Sequence, residues 1–373
     1  MKPSSQLLII LLSAIMGLTA LTAQAQDIVL GQSVPLTGAN ADIGRDMRDG
    51  ALAIFTKVNA AGGINGRKVQ LITLDNANNR ARALENTKQL IDTHKAVALF
   101  GYNSATTSLD ALPLIAQNSM AMFAPFTGSS SARNHANVYT VRASYKDEAE
   151  KIVAQQKSGG STKAVVLYYD DEAGKANLEM VTGVFDAAAK PRALGVKRNV
   201  KLDAAVFESI LKDPPHYVLA TTQYTAVGDL LNAAQSKGIN IPVAALSFVN
   251  PDELADTYGT LARGTIVSQV MPAPRGATLI SNNALRDCSL ALKDLHGAKL
   301  NYTSLEACIA AKAIVKVMQK VGGTKVTRAS LLKGLENADR IDLDGFSLNY
   351  SKGNHGSTFV DLTILSRGNQ FSR

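Results

Sequence analysis

The sequence lacks the short patterns that mark most enzyme active sites. No GxGxxG follows a predicted strand, and GxxxxGK[ST], GxSxG and HExxH do not occur in the 373 residues. The five histidines are dispersed, and no two of them have the spacing of metal ligands. Nothing in the sequence therefore argues for an enzyme, and we expect neither a cofactor nor a metal ion.

Cysteine is scarce, and the chain has only two cysteines, Cys288 and Cys308. Neither belongs to a CxxC pair, which argues against a zinc site. An oxidising compartment would permit a disulfide between them. Sequence spacing does not fix the geometry that a disulfide needs, so the alternative of two buried thiols stays open.

Long apolar runs are missing after the N-terminus. Residues 7–21 are apolar, follow Lys2 and precede Ala23-Gln24-Ala25, which is the layout of a secretory signal peptide. The run has about 15 residues against the ~20 that a membrane-spanning helix needs, so an uncleaved anchor is the weaker alternative. We expect export, cleavage after Ala25 and a mature chain of roughly 348 residues, which is long enough for two domains.

Concentrated charge is absent too. The chain has 39 Lys and Arg against 31 Asp and Glu, which gives a formal net charge of +8, but no basic run stands out. Scattered charges of this kind indicate a solvated surface rather than a contact with nucleic acid. We therefore expect no nucleic-acid partner.

Apolar runs alternate with amphipathic segments along the rest of the chain. The helical spacing of Met47, Ala51 and Ile54 predicts a helix, which Gly62-Gly63 would end. Residues 281 to about 340 are predicted to be helical, with one break near Lys299–Thr303. The predicted strands cover 27–34, 68–75, 96–101, 120–125, 163–170, 216–222, 243–248, 264–270 and 359–365. Apolar strands that alternate with helices indicate parallel sheets covered on both faces, in two similar α/β halves.

The ends of the predicted strands indicate where a ligand would bind. In open parallel sheets, ligands bind beside the carboxyl ends of the strands. The loops at these ends are rich in Ser, Thr, Asn, Gly and Tyr, which suit a small polar or anionic ligand. They cover residues 35–43, 101–105, 125–129, 170–174, 221–225 and 247–250.

Several phrases together resemble one protein family. GQSVPLTGANADIGRDMRDGALAIFTKVNAAGGINGRKVQLITLD (31–75) resembles the N-terminal stretch of the leucine/isoleucine/valine-binding proteins, the type I periplasmic solute receptors of ABC importers. Further matches are FGYNSATTS (100–108), FAPFTGSSSAR (123–133), YTVRASYKDEAEKIV (139–153), ALSFVN (245–250) and SLEACIAAK (304–312). The resemblance covers nearly the whole mature chain.

The resemblance implies an α/β fold of two doubly wound parallel-sheet lobes joined by three hinge crossovers. Lobe 1 would comprise residues 26–145 and 275–343, and lobe 2 residues 146–274 and 344–373. Binding would close the lobes, and the closed monomer would dock on an ABC permease of the inner membrane. The mature protein would therefore act in the periplasm.

The resemblance also assigns ligand-binding residues in the first lobe. Two strand-end loops would hold a ligand carboxylate through hydroxyl and backbone N–H groups, which form strong charge-assisted hydrogen bonds. At these positions the chain has Asn103, Ser104, Ala105, Phe126, Thr127 and Gly128. Helix capping is the alternative role of Ser104 and Thr127, and both roles are compatible because a helix N-terminus also favours an anion.

Other positions depart from the family pattern. Binders of branched-chain amino acids have an aromatic residue at the position of Ile43 and a tyrosine at that of Ala173. No carboxylate stands near Ser247-Phe248, where an acid would pair with a ligand ammonium, and an unpaired buried ammonium is costly. The remaining candidates in the second lobe are Tyr145, Gln223, Tyr224, Ser247 and Phe248, for some of which ordinary packing is the alternative.

The sequence as a whole favours a receptor of an ABC importer that binds an amino acid or, in preference, another small organic carboxylate. The same fold could instead serve as a ligand sensor for a membrane signalling protein. A periplasmic enzyme is the third hypothesis, and the sequence shows no nucleophile–base pair or metal set to support it.

Overall fold

The computed structural model of the chain describes residues 26–38, 40–322, 326–366 and 371–372. The predicted signal peptide, residues 1–25, lies outside these ranges. None of the helices within them is long and apolar enough to cross a membrane.

The first half of the described chain forms a parallel sheet in the order β2-β1-β3-β4-β5. Its strands are β1 (Ile28–Val34), β2 (Val69–Asp75), β3 (Ala98–Phe100), β4 (Ala121–Phe123) and β5 (Val138–Tyr139). The strand order reverses between β1 and β3, so the loops after these two strands form the crevice in which this topology binds ligands.

The second sheet repeats the order and extends it. Within the described residues its order is β14-β13-β10-β9-β8-β6-β7, and β13 and β14 run antiparallel at the edge next to β10. Its strands are β6 (Ala164–Tyr169), β7 (Arg192–Val196), β8 (Tyr217–Ala220), β9 (Val243–Ala245), β10 (Ile266–Gln269), β13 (Asp361–Leu365) and β14 (Phe371–Ser372). The predicted pair of α/β lobes is confirmed, and the crevice of this lobe lies between β6 and β8.

Helices cover both faces of each sheet. They are α1 (Ala41–Ala60), α2 (Arg80–Asp92), α3 (Ala105–Gln117), α4 (Ser130–Arg133), α5 (Tyr145–Ser158), α6 (Glu172–Thr182), α7 (Ala204–Lys212), α8 (Tyr224–Ser236), α9 (Pro251–Tyr258), α10 (Gly276–Ser281), α11 (Asn283–Asp294), α12 (Tyr302–Val321) and α13 (Arg328–Glu336). The predicted helical region after residue 281 is therefore interrupted twice, because the chain also leaves the helix at Gly322, whose φ is +85°.

The chain passes three times between the two sheets. It leaves the first sheet after β5 and enters α5, which packs against the second sheet. It returns between β10 and α11, and crosses again before β13. The short hairpin of β11 (Arg340–Asp342) and β12 (Ser347–Asn349) packs in the core of the first sheet through Ile341 and Leu348. The predicted lobe boundaries at residues 145, 274 and 343 stay a prediction. Because Tyr350 still packs in the core of the first sheet, we place the last passage between Tyr350 and β13.

A disulfide joins Cys288 of α11 to Cys308 of α12. Both cysteines lie in the core of the first sheet, where α12 also packs on α1. The sequence left this pairing open, and the structure brings the two helices together and bonds them.

Candidate functional site

The carboxyl ends of the two sheets face each other at one junction. Asn40, which precedes α1, donates a hydrogen bond of 3.4 Å from Nδ2 to Oε1 of Gln223, in the loop after β8. Ala105, Ala132 and Ala173 form a small apolar cluster that joins α3 and α4 to α6. Short side chains at this cluster let the two lobes approach closely, and Ala173 is one of the positions where the family pattern has a tyrosine.

In the first predicted loop, after β3, most of the polar side chains form hydrogen bonds within the first lobe. Ser104 caps α3, because its Oγ accepts a hydrogen bond of 3.3 Å from the backbone N–H of Thr107. Oδ1 of Asn103 accepts hydrogen bonds from Asn76 and from the Thr107 hydroxyl. Ala105 is the first residue of α3 and lies in the alanine cluster. The capping role of Ser104 is thus present, and it places the N-terminus of α3 at the junction.

The second predicted loop, after β4, contacts the start of α5. Oγ1 of Thr127, which is 1 % exposed, accepts a hydrogen bond of 3.1 Å from the backbone N–H of Ser129. The backbone N–H of Tyr145 donates to the carbonyl oxygen of Gly128 at 3.0 Å. Phe126 packs with Ile43 and Met47 of α1. The aliphatic side chain of Ile43 therefore lines the wall where the family pattern has an aromatic ring.

Tyr145 is a packing residue as well as a site candidate. Its ring lies 6.3 Å from that of Phe248, and both rings belong to the core between α5 and the second sheet. Burial raises the pKa of Tyr145. Most of the surroundings of Tyr145 are therefore those of a core residue, as the packing alternative expects.

Gln223 and Tyr224 lie where α8 begins. The side chain of Gln223 does not cap α8, and its backbone N–H donates to the hydroxyl oxygen of Tyr169 at 3.2 Å. Tyr224 is the first residue of α8 and is only partly buried. Its pKa is raised by burial and by the nearby carboxylates of Glu253 and Asp42. These two candidates therefore form the side of the junction that borders acidic residues.

Ser247 has a carboxylate beside it, contrary to the expectation from the sequence. Its backbone N–H and its hydroxyl donate to Glu148 of α5, at 2.7 and 3.0 Å. The Ser268 hydroxyl donates to the same carboxylate. Burial raises the pKa of Glu148 above its usual value. The family pattern near Ser247 could not reveal this acid, because Glu148 lies 99 residues earlier in the chain.

Arg142 is the central residue that the sequence analysis missed. It lies on the first passage between the sheets and is 1 % exposed. Nη2 donates to Oγ of Ser247 at 2.8 Å, and Nε lies 3.2 Å from Oε1 of Glu306 in α12. The guanidinium lies 4.3 Å from the centroid of the Phe126 ring. In the sequence, the available signal was an arginine between the apolar residues Val141 and Ala143.

Glu306 shares this buried cluster. It is 4 % exposed, and burial, opposed by the charge of Arg142, raises its pKa to about 7. The cluster therefore joins the first lobe through Glu306 to the second lobe through Ser247 and Glu148. No group of three or more metal-ligating side chains occurs in the described part of the chain.

Two further polar groups lie on the loops of the second sheet. Oγ1 of Thr222 and Nδ2 of Asn250 are buried and have no hydrogen-bond partner among the described residues. Buried polar groups are normally paired, so an unpaired one can form a hydrogen bond with a ligand or a water molecule. Both lie close to predicted site residues, Thr222 directly before Gln223 and Asn250 two residues after Phe248.

An acidic cavity of about 290 Å³ lies beside this junction, between α1 and α9. Its carboxylates are Asp42, Asp46, Asp49, Asp252, Glu253 and Asp256. Arg45 and Lys299 supply positive charge in the same lining. Burial, opposed by a hydrogen bond from Asn301 and assisted by Asp252, raises the pKa of Asp46 to about 7. The sequence did not predict this cavity because its acids come from separate lobes.

Comparison with known proteins agrees with this architecture. Residues 27–365 match the sequence model of a family described as periplasmic binding protein. Leu/Ile/Val-binding protein homolog 3 of Brucella melitensis is 26% identical over 355 residues, which cover 91% of this chain and 92% of that protein. An amino acid binding protein of Pseudomonas aeruginosa is 25% identical over 258 residues, 68% of each chain. The crystal structure of an extracellular ligand-binding receptor from Verminephrobacter eiseniae ef01-2 superposes with a TM-score of 0.83 at 25% identity and covers 93% of this chain and 100% of that chain.

Proposed function

Because the chain belongs to the periplasmic binding protein family and has the type I fold of leucine/isoleucine/valine-binding proteins, we propose that it is the solute receptor of an ABC importer. The solute is a small organic carboxylate held between the two lobes. The family consists of solute-binding proteins, which is consistent with a binding role for this chain.

Two helix N-termini, one from each lobe, border the junction and carry this proposal. Helix α3 begins at Ala105 and α8 at Tyr224, each directly after a strand-end loop, and neither is capped by a carboxylate, whereas the side chain of Asp171 already caps α6. The first N–H groups of a helix lack partners within the helix, and its dipole favours a negative charge there. A carboxylate at the junction would therefore meet donors from both lobes.

We prefer a ligand without an amino group for a reason that differs from the one drawn from the sequence. The sequence suggested that no acid lies near Ser247, but Glu148 and Glu306 provide two carboxyl groups there. Glu148 already accepts three hydrogen bonds, and Glu306 lies against the guanidinium of Arg142. A ligand ammonium placed there would lie close to the positive charge of Arg142, which is unfavourable.

A thermal-shift panel on residues 26–373 tests the proposed ligand class. The panel contains L-leucine, hexanoate and 4-hydroxybenzoate, each beside its carboxamide. A ligand at about 100 times its dissociation constant stabilises the folded protein by ~2.7 kcal/mol. We expect at least one acid to raise the melting temperature and its amide to raise it less. A melting temperature that none of the acids moves would show that the ligand class is wrong.

Export and lack of turnover belong to the same proposal. We expect the protein recovered from the periplasm to begin at Gln26, and the intact mass tests this. We also expect a bound acid to be recovered unchanged after long incubation with the protein, as shown by mass spectrometry of the released ligand. A retained leader would contradict the cleavage site, and a converted ligand would establish an enzyme.

A further inference from the structure

Arg142 has a hydrogen-bond donor that the described residues leave unused. A guanidinium carries five N–H donors, and burial makes an unpaired one costly. Nη2 is bonded to Ser247 and Nε is ion-paired with Glu306, whereas Nη1 is buried and has no hydrogen-bond partner in the described part of the chain. An oxygen that accepted from Nη1 would remove this cost.

The position of the guanidinium shows where such an oxygen would come from. It packs against Phe126, in the loop after β4, and bonds Ser247, in the loop after β9. Both loops lie at the junction that the proposed function assigns to the solute. The unpaired groups of Thr222 and Asn250 stand on the neighbouring loops of the same sheet edge.

The neighbours of Arg142 leave its Nη1 available to an anion. Arg133 lies in the same buried region, and its Nη1 donates to the carbonyl oxygens of Arg142 and Ala143 rather than to a carboxylate. The acids of the cluster are Glu148, which accepts from Ser247 and Ser268, and Glu306, which lies beside Nε of Arg142. Neither carboxyl group is hydrogen-bonded to Nη1, so an anion bound there would displace no existing partner.

We propose that Nη1 of Arg142 binds a carboxylate oxygen of the solute, so that Arg142 is a specificity-determining residue of the cleft. This inference rests on the proposed function. Arg142 contacts Glu306 of the first lobe and Ser247 of the second from the passage between them. A carboxylate bound to Arg142 thus joins a cluster that is complete only when the lobes are together, which couples solute charge to closure.

The test compares Arg142→Gln with wild type in calorimetric titrations of each acid of the panel and its carboxamide. Loss of a charge-assisted hydrogen bond corresponds to a loss of affinity of roughly tenfold or more. We expect Arg142→Gln to weaken the acid by at least that factor and to change the amide by less than about twofold. Arg142→Lys, which keeps the charge, should recover part of the affinity. Arg133→Gln is the matched control, because it removes a neighbouring buried arginine and should affect acid and amide equally.

Each other outcome has a definite meaning. If an acid binds wild type and Arg142→Gln equally, or if the variant weakens acid and amide alike, Arg142 is a structural residue and the inference is wrong while the proposed function stands. If no acid binds wild type, both fail together. Should Arg142→Gln not fold, a crystal structure of wild type with the bound acid decides, since a carboxylate oxygen farther than about 3.5 Å from Nη1 contradicts the inference.

Discussion

A β-carbon on Gly128 would lie 2.7 Å from the backbone nitrogen of Tyr145 and closer still to the Cδ1 atom of its ring. The strand-end loop of the first lobe therefore packs directly on the first residue of α5, which belongs to the second. Only glycine permits this approach, and the hydrogen bond from Tyr145 N–H to the Gly128 carbonyl depends on it. The two residues thus fix the geometry of the first passage between the lobes.

Gly128→Ala should destabilise the protein by about 1–3 kcal/mol, because the added methyl group overpacks a buried contact. Urea unfolding followed by circular dichroism measures the change. Gly159→Ala is the matched control, since a β-carbon there meets its nearest neighbour at 3.5 Å and should alter stability by less than about 0.5 kcal/mol. Equal stability of Gly128→Ala and wild type would show that the loop and α5 do not pack in this way.

Ser104→Ala and Thr127→Ala should each weaken binding of the carboxylate by roughly 1.5–3 kcal/mol, through loss of a hydrogen bond to a charged group. Titration calorimetry with the acid from the panel gives the affinity. Ser104→Ala should also lose about 1 kcal/mol of stability, because Ser104 caps α3. Thr327→Ala removes the cap of α13 and controls for that loss. Unchanged affinity in both site variants would show that the anion site lies elsewhere.

The amino group of a ligand should contribute little to its affinity. L-leucine and its deaminated analogue 4-methylpentanoate should bind with affinities within about tenfold of each other, a difference below ~1.4 kcal/mol. The reason is that the acids near Ser247 already have partners and that Arg142 would repel an ammonium. Competition titrations compare the pair directly. An amino acid that binds far more tightly than the deaminated acid contradicts the preference.

Asp46→Asn should stabilise the protein increasingly as the pH rises. The folded-state pKa of Asp46 is raised to about 7 by burial and by carboxylates of α9, from 3.8 in the unfolded chain. A raised carboxyl pKa means that the folded state binds more protons than the unfolded state between these values, so wild-type stability falls across that range. We expect the advantage of the variant to grow from pH 4.5 to pH 8 and to reach at least ~1 kcal/mol.

Melting temperatures at the two pH values measure this advantage. Asp92→Asn, at an exposed position, controls for the loss of one negative charge. A constant difference between Asp46→Asn and wild type at both pH values would contradict the burial of the Asp46 carboxyl between the lobes.

Reduction of the disulfide should cost about 3 kcal/mol of stability. Cys288 and Cys308 are 20 residues apart, and closing a loop of that size removes this much free energy from the unfolded state. Unfolding curves with and without dithiothreitol measure the effect. The double variant Cys288→Ala with Cys308→Ala should give the same curve in both conditions. Identical wild-type curves would show that the bond is absent or does not stabilise the fold.

The sequence predicted the central strands of both sheets well, because apolar residues make up most of each one or begin it. It missed β7, whose residues RALGV are mostly half-exposed and, among the described strands, pair with β6 alone. An edge strand of this kind lacks the apolar signal of a buried one. It also missed β5, which has two residues, too few for a periodic pattern.

The strand-end loops of the site followed from topology, whereas the charged cluster did not. Arg142, Glu148 and Glu306 come from the first passage, from α5 and from α12, and Arg142 and Ser247 are 105 residues apart. A sequence pattern reports neighbours along the chain, while these side chains meet only through the packing of one lobe on the other. The residues that meet between the lobes are therefore the part of such a site that only a structure can identify.

The most direct test of the central claim is to identify the molecule that the exported protein retains through purification. Native mass spectrometry of protein isolated from the periplasm without dialysis, followed by denaturation, identifies what is bound. We predict one small organic acid for each chain, released intact on unfolding and without a requirement for an α-amino group. A bound molecule that lacks a carboxyl group would contradict the account.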